Sequence, residues 1–180
     1  MRRNRSVLVT LAAVAAAALV AAVASADDGG RKGDDDQGRN GRGDDAAKIF
    51  SATLVGSQLA DPAIHGVTRG GVPWVIERGR VQLAADGSIK VQLRGLVIPI
   101  AHGTFPANTA LPVTTVSASL FCAPDSTGPA ATTTSAPISA DGNARITDKL
   151  TLPATCLAPT VLVHPNGGVG AYIALPGWRS

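Results

Sequence analysis

Short runs of alternating polar and apolar residues recur along the chain from Ala46 to the C-terminus. The run from Ile49 to Val55 places Ile49, Ser51, Thr53 and Val55 opposite Phe50, Ala52 and Leu54. A period of two is typical of a strand, whereas an amphipathic helix repeats every 3.6 residues. No window of ten residues in this part of the chain shows that longer period with helix caps. The pattern therefore predicts a domain built of strands alone.

Turn signals join these runs into hairpins. Asp86-Gly87 follows a run ending at Leu83 and precedes one in which Ile89, Val91 and Leu93 oppose Lys90, Gln92 and Arg94. The Asp-Gly pair supplies the positive φ that a tight hairpin needs, so this turn is the strongest hairpin signal in the sequence. A second Asp-Gly pair, at 141–142, predicts a hairpin between residues 132–138 and 144–152. Residues 165–168 predict a third, between 161–164 and 169–175.

The number and spacing of these runs predict the architecture. The run Val113 to Cys122 adds a strand with Val116, Ala118 and Leu120 on one face. Regularly spaced short strands without helices favour a β-sandwich or small barrel, here of about seven to nine antiparallel strands. Residues 46–180 have the length of a single domain with its own core.

The N-terminus predicts export. Residues 1–5 contain three arginines, an uncharged apolar segment follows, and Ala24-Ser25-Ala26 precedes Asp27. This order of charged, apolar and small residues is that of a cleavable signal peptide covering residues 1–26. The alternative is an uncleaved anchor, because residues 7–23 reach the lower limit of about 17 residues for a spanning helix. The small residues before Asp27 favour cleavage and a secreted protein.

The segment from Asp27 to Asp45 has no apolar side chain and predicts a disordered tether. Removal of Arg2, Arg3 and Arg5 with the signal leaves 13 basic and 13 acidic residues in the mature chain. Nucleic-acid binding needs a concentrated basic surface, and a formally neutral chain gives no reason to expect one. We therefore expect no nucleic-acid partner, and a membrane contact only if the signal is retained.

The two cysteines predict one disulfide. Cys122 and Cys156 are the only cysteines of the chain, and an isolated pair in an exported domain usually forms a bridge. The absence of a Cys-x-x-Cys motif argues against a redox or metal-binding pair.

Few residues suggest chemistry. His65, His102 and His164 each lie beside a turn residue, so converging turns could bring three imidazoles to a Zn²⁺ or Cu²⁺ ion. Their spacing matches no ligand motif, which favours scattered histidines. A hydrolase could instead use Asp61, Glu77 or Asp148, of which Asp148 interrupts an apolar strand face. No nucleophile elbow, phosphate loop or dinucleotide motif is present, and we predict no cofactor.

Five segments between Phe50 and Gly103 carry a family resemblance. They read FSATLVGSQ at 50–58, GRVQL at 79–83, DGSI at 86–89, LRGL at 93–96 and AHG at 101–103. This pattern resembles CHRD domains, which are secreted β-rich modules. The paired histidines of that family appear here as His102 alone, so the resemblance implies an extracellular β-module and no functional residue. The composition also resembles that of secreted proteins from high-GC bacteria.

These observations favour a secreted binding or structural module for an unknown extracellular or cell-envelope ligand. A secreted hydrolase or metal-dependent enzyme is the first alternative, and a membrane-anchored surface or adhesion protein is the second. Residues 65–74 and 99–112 are the predicted binding loops, because they combine turns, aromatic residues and two histidines.

Overall fold

A computed structural model describes residues 46–123 and 128–179, and it confirms the all-β fold class. The predicted signal (1–26) and tether (27–45) lie outside the described residues. Within the described residues there is no helix, and so none that could cross a membrane. The strands are β1 Lys48–Gly56, β2 Thr68–Arg69, β3 Arg78–Ala84, β4 Ser88–Arg94, β5 Thr115–Phe121, β6 Ala131–Thr132, β7 Ala136–Pro137, β8 Ala144–Lys149, β9 Thr160–Pro165, β10 Ala171–Tyr172 and β11 Ala174–Pro176.

Nine of these strands form one antiparallel sheet. Its order is β6-β5-β9-β11-β1-β3-β4-β8, with β7 also paired to β5. The sheet curls into a half-barrel, and its concave side holds the main core. Trp74, Val81, Val91, Leu120 and Val163 are among the residues buried there. The remaining strands, β2 and β10, form a short parallel pair.

A second layer covers the outer side of β5 and β9. Val67, Phe121, Leu162 and Tyr172 form a separate buried cluster on that side. The Tyr172 hydroxyl donates a hydrogen bond of 2.7 Å to the carbonyl of Pro62, and burial raises the pKa of Tyr172. The phenol therefore stays protonated as a donor at neutral pH. Because of this cover, β5 and β9 are buried on both faces.

The predicted hairpins form to different extents. Asp86-Gly87 joins β3 to β4 as predicted, and β11 returns beside β9. The hairpin predicted at residues 141–142 is reduced to one bridge between Ile138 and Ala144. β8 instead pairs with β4, and β6 and β7 pair with β5. Pairing with β4 places Ile146 directly beside Val91, so β8 buries its apolar face in the main core.

Both Asp-Gly turns lie against the backbone of a neighbouring segment. Gly87 and Gly142 have φ values of 87° and 74°. The carbonyl of Gly87 accepts a 2.9 Å hydrogen bond from Leu150 N, and that of Gly142 accepts one of 3.0 Å from Leu96 N. A Cβ at either glycine would clash with backbone atoms of that same leucine. Glycine is therefore required both by the turn and by the close approach.

The predicted disulfide between Cys122 and Cys156 is confirmed. It joins the end of β5 to the segment before β9, across a sequence separation of 34 residues with a Cα–Cα distance of 4.7 Å. Both cysteines also pack against the main core. The bridge thus fixes a long connection at one end of the sheet.

Gly142→Ala should lower the free energy of unfolding by about 2 to 4 kcal/mol, because the methyl group meets the Leu96 backbone and positive φ strains alanine. Urea unfolding measures this change. Gly103→Ala is a matched control, since Gly103 also has positive φ, of 61°, but no atom lies within 4 Å of the position that an added methyl group would take. Similar losses of unfolding free energy in both variants would show that the close approach of Gly142 to the Leu96 backbone does not explain the effect.

Replacement of Cys122 and Cys156 by alanine should lower the free energy of unfolding by about 3 to 4 kcal/mol, because the unfolded chain loses a constraint on a long loop. Guanidinium unfolding of the double variant measures the loss. The unsubstituted protein unfolded with reductant serves as the control and should resemble the double variant. An unchanged midpoint in the variant would show that the bridge does not stabilise the fold.

Candidate functional site

The three histidines occupy separate places. The ring of His65 stacks on that of Phe121, with centroids 5.0 Å apart and an interplanar angle of 10°. His102 lies in an exposed turn closed by two 3.0 Å backbone hydrogen bonds with Phe105. His164 is fully buried in β9. Among residues 46–123 and 128–179, no group of three or more metal-binding side chains could hold an ion. The convergence that a shared metal site requires is not found there.

His164 faces Ser117 across the β5–β9 pair, beneath the second layer. Its Nδ1 lies 2.7 Å from the carbonyl of Ala171, and Ser117 is its direct partner in register. Neither Ser117 Oγ nor His164 Nε2 has a hydrogen-bond partner within the described residues. Both side chains are buried, so this serine and histidine are not accessible to a substrate in the folded state.

The candidate carboxylates also lie apart. Asp61 pairs with Arg179 at 2.5 Å, and Glu77 pairs with Arg94 at 3.4 Å. Asp148 accepts hydrogen bonds from the amide and hydroxyl of Thr134 at 2.7 and 2.9 Å. Glu77 and Asp148 lie beside opposite ends of β4, on the order of 17 Å apart at the rise of a strand, which exceeds the separation used by glycosidases.

Asp148 has a structural explanation. The amide of Thr134 is the main reason that the pKa of this carboxyl lies below its ordinary value, with the Lys149 amide contributing next. The ionised carboxylate therefore holds the segment before β7 against the edge strand β8. The core continues on both sides of Asp148, since Ile146 and Leu150 are buried.

The predicted binding loops contribute less than expected. Trp74 is only 2% exposed, and Val67 and Val72 are also buried. Phe105 packs against the main core. The aromatic side chains that suggested these loops as a binding surface thus fill the interior, because a domain with few aromatic residues uses them to cover its core.

A surface that the sequence analysis missed lies on the outer side of β1, β3, β4 and β8. We call it the cationic face. Its twelve positions alternate with buried residues along the four strands, and they are Ser51, Thr53, Arg78, Arg80, Gln82, Ser88, Lys90, Gln92, Arg94, Arg145, Thr147 and Lys149. Six of them are cationic and none carries a carboxylate. They include six of the nine cations in residues 46–180.

Strand pairing arranges this face in rows. One row runs Thr53, Arg80, Gln92, Arg145, and the next runs Ser51, Gln82, Lys90, Thr147. Arg80 and Arg145 are two strands apart, which is about 10 Å. Rows on the same face are two residues apart, or about 7 Å. The result is a regular array of positive groups separated by hydrogen-bonding side chains.

Some cations of this face lie close enough to repel one another. Arg78 and Arg94 are direct cross-strand partners, and like charges in such pairs are unfavourable. Of these two arginines, Arg94 alone forms an ion pair within the described residues, with Glu77 just outside the face. Lys149 pairs similarly with Asp86 at 3.6 Å. In the described part of the chain, no ion pair neutralises Arg78, Arg80 or Arg145.

The cationic face contains two depressions. The larger, of about 650 Å³, is lined by Thr53, Arg78, Arg80, Gln92 and Arg94 together with backbone. The smaller, of about 230 Å³, includes Lys48, Gln82, Lys90 and Thr147, and the carboxylates of Asp86 and Asp148 line its edge. Both depressions are partly open to solvent.

The net charge of the mature chain gave no indication of the cationic face. The seven aspartates of residues 27–45 offset cations elsewhere, so the mature chain is formally neutral while residues 46–180 carry nine cations and six acidic residues. The alternation of Lys90, Gln92 and Arg94 with apolar residues was visible in the sequence. The missing information was that β8 lies beside β4.

His164→Asn should weaken the dependence of stability on pH. Burial lowers the pKa of His164 below its ordinary value of 6.5, and the hydrogen bond to Ala171 opposes this shift. The unfolded chain therefore binds a proton more readily, and stability falls as the pH drops below 6.5 through the pKa of the folded state. The native protein should therefore lose stability between pH 6.5 and 5. Asparagine retains an N–H donor without titrating in this range, so urea unfolding at both pH values should show a smaller loss.

His102→Asn is the control for that measurement, because it removes a histidine that is exposed and lies outside the core. This variant should follow the native protein. An equal pH dependence for the native protein and His164→Asn would contradict the effect assigned to burial.

Comparison with protein-family models, curated proteins and solved structures finds no match to this chain.

Proposed function

We propose that this protein is an exported β-sheet module that binds an anionic polymer through the cationic face. The observation that carries the proposal is the concentration of six cations, without a carboxylate, on the twelve positions of that face. The disulfide supports a location outside the reducing cytoplasm, as does the signal-like sequence of residues 1–26.

The geometry favours a polymer over a small molecule. A small ligand is usually enclosed by a concave, largely apolar pocket, whereas the larger depression of this face is partly open and lined mainly by arginine and other polar side chains. Individual exposed ion pairs contribute only about 0 to 1 kcal/mol. A chain with repeated negative groups can engage several rows at once, and linked contacts reinforce one another. The array therefore suits a ligand with repeated charge.

The positions of the cations also allow a bound anion to contact more than one of them. Arg78 faces Arg94 directly, so an anion placed between them would relieve repulsion that the folded domain otherwise bears. Arginine binds carboxylate and phosphate groups through two parallel hydrogen bonds. Gln82 and Gln92 lie between the cations and offer additional donors and acceptors. A surface of this kind binds by complementarity and needs no catalytic group.

Replacement of Arg80 and Arg145 by glutamine should weaken binding of the full chain to polyphosphate about tenfold in 100 mM salt. The slope of log affinity against log salt should fall by about two, because two fewer cations displace counterions. Isothermal titration calorimetry at several salt concentrations measures both quantities. Both side chains are exposed, so the fold should persist.

The charge-preserving variant Arg80→Lys with Arg145→Lys is the matched control and should keep the salt slope of the native protein. Its affinity should fall less than that of the glutamine variant, because lysine retains charge but loses the bidentate geometry. If the glutamine variant binds polyphosphate with native affinity and salt slope, the proposed function is wrong.

A further inference from the structure

An exposed tryptophan stands at one end of the cationic face. Trp178 is 90% exposed, the largest exposed fraction among the large apolar residues described. It lines a cavity of about 410 Å³ together with Thr53, Arg78 and Gly79. Those three residues also line the larger depression of the cationic face. One groove therefore runs from the indole of Trp178 to the arginines, and Glu77, which is paired with Arg94, lines its end near Trp178.

The residues on both sides of Trp178 are anchored, Gly177 through its backbone and Arg179 through its side chain. Gly177 N donates a 3.1 Å hydrogen bond to the carbonyl of Thr53. On the other side, Arg179 Nε donates to the carbonyl of Gly56 at 3.3 Å, and its Nη2 reaches Asp61 Oδ2 at 2.5 Å. Asp61 itself accepts a 2.7 Å hydrogen bond from the amide of Gln58. The residue is thus held in place while its ring is left in solvent.

An exposed indole between two anchored residues is suited to a flat ligand with an apolar side. Tryptophan offers a large rigid contact area and loses little conformational entropy on binding. The adjoining groove supplies arginine for carboxylates, and Thr53 and Gln92 for hydroxyl groups. Sugar rings that carry carboxylates combine these features. They present C–H groups on one side, with hydroxyls and a negative charge around the edge.

The alternative flat ligand is a nucleic-acid base. Proteins that bind single strands usually stack successive bases on several aromatic residues along a basic groove. The twelve positions of the cationic face contain no aromatic residue. A single indole followed by rows of arginine, glutamine and threonine therefore favours a saccharide chain.

We propose that Trp178, with Arg78 and Arg80, forms a subsite for an acidic polysaccharide. One sugar ring lies against the indole, and the carboxylates of neighbouring sugars contact the arginines. The inference rests on the proposed function of the cationic face as a polyanion-binding surface, and it adds the chemical class of the polymer.

The variant Trp178→Ala tests whether the indole contributes to binding beyond the attraction between opposite charges. In the full chain, we expect it to weaken binding to polygalacturonate about tenfold. Binding to polyphosphate should not change, because that polymer has no sugar ring. Trp178→Phe should restore most of the affinity for polygalacturonate. Titration calorimetry with both polymers at equal charge concentration and equal salt measures these effects.

Leu157→Ala is the control for loss of an exposed apolar side chain, since Leu157 is 66% exposed and lines none of the described depressions of the cationic face. It should bind both polymers as the native protein does. Asp61→Asn adds a net positive charge but removes the ionic partner of Arg179. It should weaken polygalacturonate binding if anchoring matters, whereas a purely electrostatic surface would bind more tightly.

The outcomes distinguish the two proposals. If Trp178→Ala binds polygalacturonate with native affinity while the Arg80 and Arg145 variant loses both polymers, the saccharide subsite is refuted and the cationic face stands. If the native protein binds neither polymer, the proposed function itself fails. If oligothymidylate binds more tightly than polygalacturonate and loses more affinity in Trp178→Ala, the ligand is a nucleic acid and the inference is overturned.

Discussion

The register of β3, β4 and β8 is the constraint on which both the core and the cationic face depend. Val81, Val91 and Ile146 form one continuous row across these strands, with their side chains in the interior. Because side chains alternate between the two faces of a strand, a slip of one residue would expose that row and bury arginines. Burial of unpaired charge is far more costly than loss of apolar contacts. The same strand pairing thus determines which side chains form the core and which form the cationic face.

The two halves of the curled sheet are used differently. On β5 and β9 the outer side is covered by the segment that carries Val67 and by Tyr172, so it is closed to ligands. On β1, β3, β4 and β8 the outer side has no such layer within the described residues, and polar side chains face solvent. An aliphatic core of modest size, with few aromatic residues, cannot leave both halves open. The domain covers one half of the sheet and leaves the other half exposed to solvent.

Local patterns predicted much of this fold. The alternation in β1, the Asp86-Gly87 hairpin and the Cys122–Cys156 bridge were all visible in the sequence. Each depends on short-range geometry or on the chemistry of an isolated cysteine pair. These features are the ones that a single sequence encodes most directly.

Non-local pairing set the limit of prediction. Nothing near Asp141-Gly142 indicates that β8 leaves its predicted hairpin to join β4, because the deciding contact is between Ile146 and the distant Val91. The cationic face depends on that pairing, since Arg145 and Lys149 enter it only with β8. Trp74 and Trp178 cannot be distinguished by residue type. Trp74 packs in the core, whereas Trp178 is exposed beside Arg179, whose side chain bonds to the carbonyl of Gly56.

The position of β1 has a mechanical consequence. This strand is bonded to β3 through residues 48–53 and to β11 through residues 54–56, so a tension applied to the chain before Lys48 acts along its axis. Both sets of hydrogen bonds lie across that direction and would be loaded together in shear, instead of opening one after another from a free edge. A domain held under flow or pulled from a surface by its N-terminal side would transmit the force into the middle of its sheet.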